Sequence, residues 1–206
     1  MYKVFFNQKP LILTDKITVT SDSEPFLHVK YTNGGQIIKA LKSDDIKKVF
    51  LYHKNIDKLW KIFYKKFPVV KAAGGLVENN NGEFLLIFRN NKWDLPKGGL
   101  EKKELIIEAA KREVKEETGV ADLIVLNQLS ETYHIFKKGK RFRIKKTYWF
   151  RMSTKYNGKL SPQLEEGIMK TEWISKDKIQ NLLDDAFKNI RLIVLEVLNS
   201  NSFRNQ

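Results

Sequence analysis

The sequence contains no cysteine, so neither disulfides nor thiolate metal ligands contribute to this protein. Histidine is nearly as scarce: His28, His53 and His134 stand far apart along the chain and read as surface or packed side chains, not as a ligand set. No apolar run approaches the roughly 20 residues that a membrane-spanning helix needs. The opening MYKVFFNQKP also lacks the apolar stretch of a secretory signal. Together these absences predict a cytoplasmic protein with no membrane partner. Internal repeats and low-complexity segments are missing too. The 206 residues, 42% hydrophobic and 30% charged, suffice for one ample domain or for one domain plus a small module.

Acidic residues are in short supply, 24 against 38 Lys and Arg, for a net charge of +14, and the imbalance is uneven. Residues 71–136 carry 9 basic and 11 acidic side chains, whereas 137–151 (KKGKRFRIKKTYWFR) carry 8 basic and none acidic. Residues 1–70 hold 13 basic against 6 acidic. An acidic segment flanked by basic surface suits a polyanionic substrate.

That acidic segment centres on residues 98–120, GGLEKKELIIEAAKREVKEETGV. From Glu104 to Thr118 it is rich in helix formers and free of Pro, with Gly119 placed to cap the C-terminus, so the pattern predicts a helix. Ile106, Ala110 and Val114 follow at i,i+4 steps and, joined by Ile107, form the expected inner face. Glu113, Glu116 and Glu117 stand at i, i+3 and i+4, which gathers three carboxylates on another face. Their repulsion would be relieved by a divalent cation, and hard oxygen donors suit Mg²⁺ or Mn²⁺ better than zinc. The plain alternative for these three alone is a solvated Glu/Lys helix surface.

Written as spacing, the stretch is Gly98, five residues, Glu104, seven residues, Arg112-Glu113-Val114, one residue, Glu116-Glu117, one residue, Gly119-Val120. It resembles a complete Nudix box, with no departure at any fixed position. The preceding Trp93-Asp94-Leu95-Pro96-Lys97-Gly98 is similar to the W-x-L-P-K-G of Nudix members that act on dinucleoside polyphosphates and diphosphoinositol phosphates. The resemblance implies an α/β/α sandwich with a mixed sheet. It implies Glu116 and Glu117 as metal ligands with the Gly98 carbonyl as a candidate, and Glu113 as a further ligand or as the group that orients or deprotonates water. Arg112 would brace the carboxylates through a salt bridge to Glu104, its alternative being a surface pair with Glu108. A carboxylate from outside the box is expected, with Glu166 the candidate beside Glu165. Lys97, Arg143, Lys145 and Lys146 are the candidate substrate-binding cations, and Ala72–Gly75 would lie beside the substrate.

Around the box, residues 2–14 read as two short strands about a turn, with further strands at 16–20 and 26–31 and a turn at Asn33-Gly34-Gly35. Apolar spacing over 44–67, with Ser43 as N-cap, a break near Asn55 and Pro68 as terminator, predicts helix. Residues 1–67 are thus expected to form a small α+β module of unassigned role, and 68–206 the catalytic domain. In the latter, 69–78 and 83–89 read as a hairpin about Asn79–Gly82. Strands follow at 121–136, 141–152 and 171–175, then a helix from Ser175 broken near Asp184-Asp185, and a frayed tail from Ser200 to Gln206.

The expected activity is metal-dependent pyrophosphohydrolysis of a nucleoside diphosphate derivative, leaning toward a dinucleoside polyphosphate. Two alternatives are a non-catalytic nucleotide- or RNA-binding protein on the same fold, which the intact carboxylates disfavour, and a hydrolase of RNA 5′ ends. The charge suits RNA, yet no motif with stacking aromatics is recognisable in residues 1–67. A second copy of the chain, as a homodimer, is left open as a partner.

Overall fold

The computed structural model describes residues 1–202. In chain order its first elements are β1 (Tyr2–Phe6), β2 (Lys9–Thr14), β3 (Phe26–His28), α1 (Gly34–Lys42), β4 (Val49–Tyr52) and α2 (Ile56–Lys66). Next come β5 (Val69–Glu78), β6 (Phe84–Arg89), β7 (Lys92–Asp94), β8 (Lys97–Gly99) and α3 (Ile106–Thr118). The remainder comprises β9 (Ile124–Gln128), β10 (Thr132–Lys138), β11 (Arg141–Ser153), a 3-10 turn at Leu164–Glu166, β12 (Ile168–Ile174), α4 (Lys176–Leu182) and α5 (Lys188–Ser202). The described residues divide into two compact units: Met1–Val70 with Thr132–Lys146, and Lys71–Glu131 with those from Thr147 to Ser202.

In the first unit β1 pairs antiparallel with β2, β2 runs parallel to β4, and β4 runs parallel to β3. On its other side β1 pairs in parallel with β10, Val4 opposite Tyr133 and Phe6 opposite Ile135. The core joins Val4, Leu11, Leu13, Val49 and Leu51 of these strands to Ile37 and Leu41 of α1, to Leu59 and Phe63 of α2, and to Tyr133, Ile135 and Ile144 of the later hairpin. By contact the first unit thus extends beyond the expected segment 1–67. Residues 132–146 belong to the first unit because their apolar side chains complete its core.

Two local expectations also change. Residues 44–54 are not helical: Val49–Tyr52 is an apolar run with β-branched Val49 and aromatic Phe50 and Tyr52, and a parallel partner in β2 outweighs the apolar spacing that suggested a helix. The helix lies instead at 34–42, where the supposed turn residue Asn33 accepts the Gln36 N–H at 2.9 Å and the Gln36 side chain accepts the Asn33 N–H at 2.8 Å, closing a capping box. Asn55 caps α2 as the break had suggested, accepting from Lys58 N–H at 2.8 Å. Residues 16–20 form no strand, and Ile17 and Val19 stand exposed.

The second unit is layered by strand periodicity. Leu76, Phe84, Leu86 and Trp149 point to one side, where Ile179, Leu183, Ile190, Ile193 and Val197 of α4 and α5 cover them. Ala73, Val77, Leu85, Phe150 and Met152 point to the other, against Ala109, Ala110 and Val114 of α3. A mixed sheet between helical layers is the expected sandwich. In the β5–β6 hairpin Gly82 takes φ +75° and the Asn79 side chain accepts the N–H groups of Asn81 and Glu83 at 2.9 and 3.0 Å. On α3 the inner face uses Ala109, while Ile107, expected inside, is 42% exposed. Of the tail expected to fray, 200–202 close α5 and 203–206 lie outside the described residues.

Candidate active site

Strand β8 and helix α3 build the site together. β8 lies antiparallel to β5, with Ala73 opposite Gly98 and Gly74 opposite Lys97. A Cβ on Gly74 would overlap the Pro96 carbonyl and the Lys97 side chain, so this glycine is what lets the two backbones meet. Ala72–Gly75, expected beside the substrate, are buried, with Ala72–Gly74 paired to β8. Gly98 is pressed against α3 in the same way: a Cβ there would collide with the Glu113 carboxylate. Gly119 ends α3 in the left-handed conformation, φ +77°, returning its N–H to the Lys115 carbonyl at 2.8 Å.

Arg112 organises the outer half of the site. Its guanidinium donates to Glu104 Oε1 and Oε2 at 2.8 and 3.0 Å and to the Gly99 carbonyl at 2.9 Å. Nη1 alone reaches Glu113 at 2.8 Å and Glu116 at 2.9 Å. The bond to Glu104, with those to Glu113 and Glu116, raises the Arg112 pKa, and the same contact lowers that of Glu104. Glu108 is the partner of Lys111, at 3.8 Å, not of Arg112.

Glu117 faces the other way. It is 2% exposed, accepts the Lys97 backbone N–H at 2.8 Å, and lies 3.7 Å from Arg89 Nη1. Burial pushes its pKa up to about 7, against the pull of Lys97 and Arg89. Burial likewise raises the Glu113 pKa, helped by repulsion from Glu116 and Glu166 although Arg112 works in the opposite sense. Glu166, on the 3-10 turn, also helps to raise the pKa of Arg89, so of the two adjacent glutamates it is the one felt at this site.

Beneath the carboxylates lies a buried charge network that the sequence reading did not anticipate. Asp94, 2% exposed, accepts from Arg89 Nε at 2.8 Å, Lys97 Nζ at 2.6 Å and the Leu95 N–H at 2.8 Å. Lys97 Nζ also donates to the Leu95 carbonyl at 3.3 Å and sits 5.9 Å from the Trp149 ring centre. Lys97, expected as a substrate cation, is here a buried strut whose main-chain N–H holds Glu117. The available signal was Asp94 three residues before Lys97, with Arg89 ending the preceding strand. The other three candidate cations belong to the first unit, not to this cluster. There Lys145 and Lys146 place their ammonium groups 5.5 Å from the Phe136 ring centre and 5.9 Å from the Tyr133 ring centre, and Arg143 shares their strand.

The donors fit a hard divalent cation in kind. All are oxygens, two carboxylates converge on one cationic nitrogen, and two carry raised pKa values that an added positive charge would relieve. Among the described residues no three His, Asp or Glu side chains close on a common point as a finished ligand set. Arg112 and Lys97 hold them apart.

A NUDIX domain model matches residues 68–195, and the chain belongs to the Nudix family, whose enzymes hydrolyse phosphoanhydrides. Solved structures with a similar fold include a MutT protein from Methanosarcina mazei Go1, 23% identical over 66% of this chain and 97% of that one, with a TM-score of 0.52. Another is RenU, a Nudix hydrolase from M. smegmatis, 18% identical over 66% of this chain and 89% of that one, TM-score 0.50. No helix among the described residues is long and apolar enough to cross a membrane.

Proposed function

We propose that this Nudix pyrophosphohydrolase acts with Mg²⁺ or Mn²⁺ on a nucleoside diphosphate derivative, and that its preferred substrates carry more than two phosphates. The convergence of Glu113 and Glu116 on Arg112, above Gly98, carries the catalytic part of the reading. Glu116, Glu117 and the Gly98 carbonyl would hold the cation, which supplies charge neutralisation on the phosphoryl oxygens. Arg112 keeps Glu113 aimed, through the brace it makes with Glu104 and the Gly99 carbonyl. Glu113 takes the proton of the attacking water at its carboxylate, a role that a raised pKa suits. Glu166, whose charge acts on Glu113 and Arg89, is the candidate for the outside carboxylate.

The preference for polyphosphates rests on the W-x-L-P-K-G context that leads into the box. The test is a panel of nucleoside diphosphate sugars, ADP-ribose, dinucleoside tri- to hexaphosphates and 5′-triphosphorylated RNA, assayed with Mg²⁺ and with Mn²⁺. Release of nucleoside phosphates from long dinucleotides with the highest kcat/KM is the expected result. Turnover confined to sugar nucleotides would refute the substrate class, and nucleotide binding without turnover of any compound would refute the enzyme reading.

A further inference from the structure

The whole net charge of the protein resides in its first unit. Met1–Val70 with Thr132–Lys146 hold 20 Lys and Arg against 6 Asp and Glu, while the second unit holds 18 of each. The first unit therefore carries the entire +14, although the carboxylate site lies in the second.

Within that unit the two outermost strands carry aromatic rings on one face. Val49 and Leu51 of β4 point into the core and are fully buried, so Phe50 and Tyr52 point to the opposite face, where both are half-buried. On edge strand β3 Phe26 stands opposite Phe50 and His28 opposite Tyr52, which puts these four rings in one patch. Ring centres are 6.2 Å apart for Phe26 and Phe50, 5.8 Å for His28 and Tyr52, and 5.2 Å across the diagonal from Phe26 to Tyr52. Tyr31 extends the patch: its centre is 4.8 Å from His28 at 33° between planes, yet it is 83% exposed. The His28 ring is held in place by the Lys30 N–H, which donates to Nδ1 at 3.2 Å.

Cations border the rings. Lys48 Nζ lies 5.3 Å from the Phe50 ring centre while also pairing with Glu24 at 3.1 Å. Lys30 and Lys54, each two residues beyond a ring of the patch, are exposed. A face serving solubility alone has no use for half-exposed rings. Rings on a sheet, bordered by ammonium groups and set in a strongly basic unit, match the chemistry of unpaired bases on a phosphate backbone.

We propose that the β3–β4 face of the first unit, with Tyr31, binds single-stranded nucleic acid by stacking bases on its rings and pairing phosphates with the bordering lysines. This goes beyond the hydrolytic reading and stands without it, since binding requires neither the carboxylates nor turnover. The occupant is a single strand because a duplex keeps its base faces stacked internally and offers these rings nothing but phosphates.

The test uses the full-length protein and labelled oligonucleotides of roughly 12 nucleotides. Single-stranded RNA and single-stranded DNA form two arms, a duplex of the same length a third, and phosphatidylserine-containing vesicles a fourth. Either single strand should bind more tightly than duplex, the two arms showing whether the ribose hydroxyl is read. Tyr31→Ala should raise Kd by about tenfold while Tyr31→Phe stays near wild type, and at 83% exposure neither change threatens folding, which a thermal melt verifies. Lys30→Ala combined with Lys54→Ala should flatten the dependence of log K on log salt by about 1.4, or roughly 0.7 per lost phosphate contact. Equal affinity for duplex, an unchanged Kd in Tyr31→Ala, or binding to vesicles alone would each overturn the proposal.

Discussion

Removing the Asp94 carboxylate should cost more than any other single truncation near the site. It is the shared acceptor of Arg89 and Lys97 at 2.8 and 2.6 Å, and all three side chains are largely withdrawn from water, at 3%, 16% and 6% exposure. Asp94→Ala takes from two buried cations the carboxylate they share, Arg89 keeping Glu117 at 3.7 Å and Lys97 the Leu95 carbonyl at 3.3 Å. Breaking a buried pair from one side costs about 3–5 kcal/mol, a large share of the roughly 5–15 kcal/mol that holds a domain folded. Asp94→Leu combined with Lys97→Met, which removes the buried ammonium as well, should recover more than half of that loss.

The assay is urea denaturation at several pH values. Lys97 and Arg89 overcome burial and hold the Asp94 pKa below its ordinary value. A depressed carboxylate pKa contributes stability above the unfolded value of about 3.9 and loses it as pH falls through the folded value. The gap between wild type and Asp94→Ala should therefore be full at neutral pH and close in acid, below about pH 4. A cost under about 1 kcal/mol, the range of an exposed pair, would show that the network is not a structural strut. So would a gap that persists unchanged in acid.

Glu116→Gln and Glu117→Gln should each lower kcat by about a hundredfold or more at saturating Mg²⁺, since a bound cation contributes several kcal/mol and each 1.36 kcal/mol is a factor of ten; near-normal turnover in either would remove that residue from the metal site. Gly98→Ala should fold, with a melting temperature within a few degrees of wild type, yet lose activity because its Cβ displaces the Glu113 carboxylate; full activity would show that this contact has no role. Deleting residues 1–67 should yield an aggregating protein, because it uncovers Tyr133, Ile135 and Ile144; a monodisperse, cooperatively melting fragment would contradict the recruitment of the hairpin into the first unit.

Helix α3 and its Gly119 cap were legible because each depends on residues at short, fixed spacing, and the Arg112–Glu104 brace because the box resembles a known family's. What escaped the sequence depends on distant partners. Val49–Tyr52 becomes a strand because β2 is there to receive it, and the same residues spaced around a helix looked equally apolar. Lys97 read as a substrate-binding cation, and its ion pair with Asp94 came to light only in the fold. The three glutamates do share a helix, but Arg112 and the Lys97 N–H draw them to different sides, a choice that no i,i+4 rule contains. The aromatic patch escaped for a similar reason: Phe26 and His28 are far in sequence from Phe50 and Tyr52, and only strand pairing makes them neighbours.

The pairing of β1 with β10 has a consequence in time. Val4 leaves the ribosome long before Tyr133, its partner in the sheet. At about 5–20 residues per second, the intervening residues 5–132 take roughly 6–26 s to be made. Throughout that interval one edge of β1 has backbone N–H and C=O groups with no strand to meet them, the situation in which nascent chains pair with one another. The excess of 13 basic over 6 acidic residues in 1–70 then acts on the growing polypeptide itself, pushing neighbouring copies on a polysome apart until the hairpin arrives to close the edge.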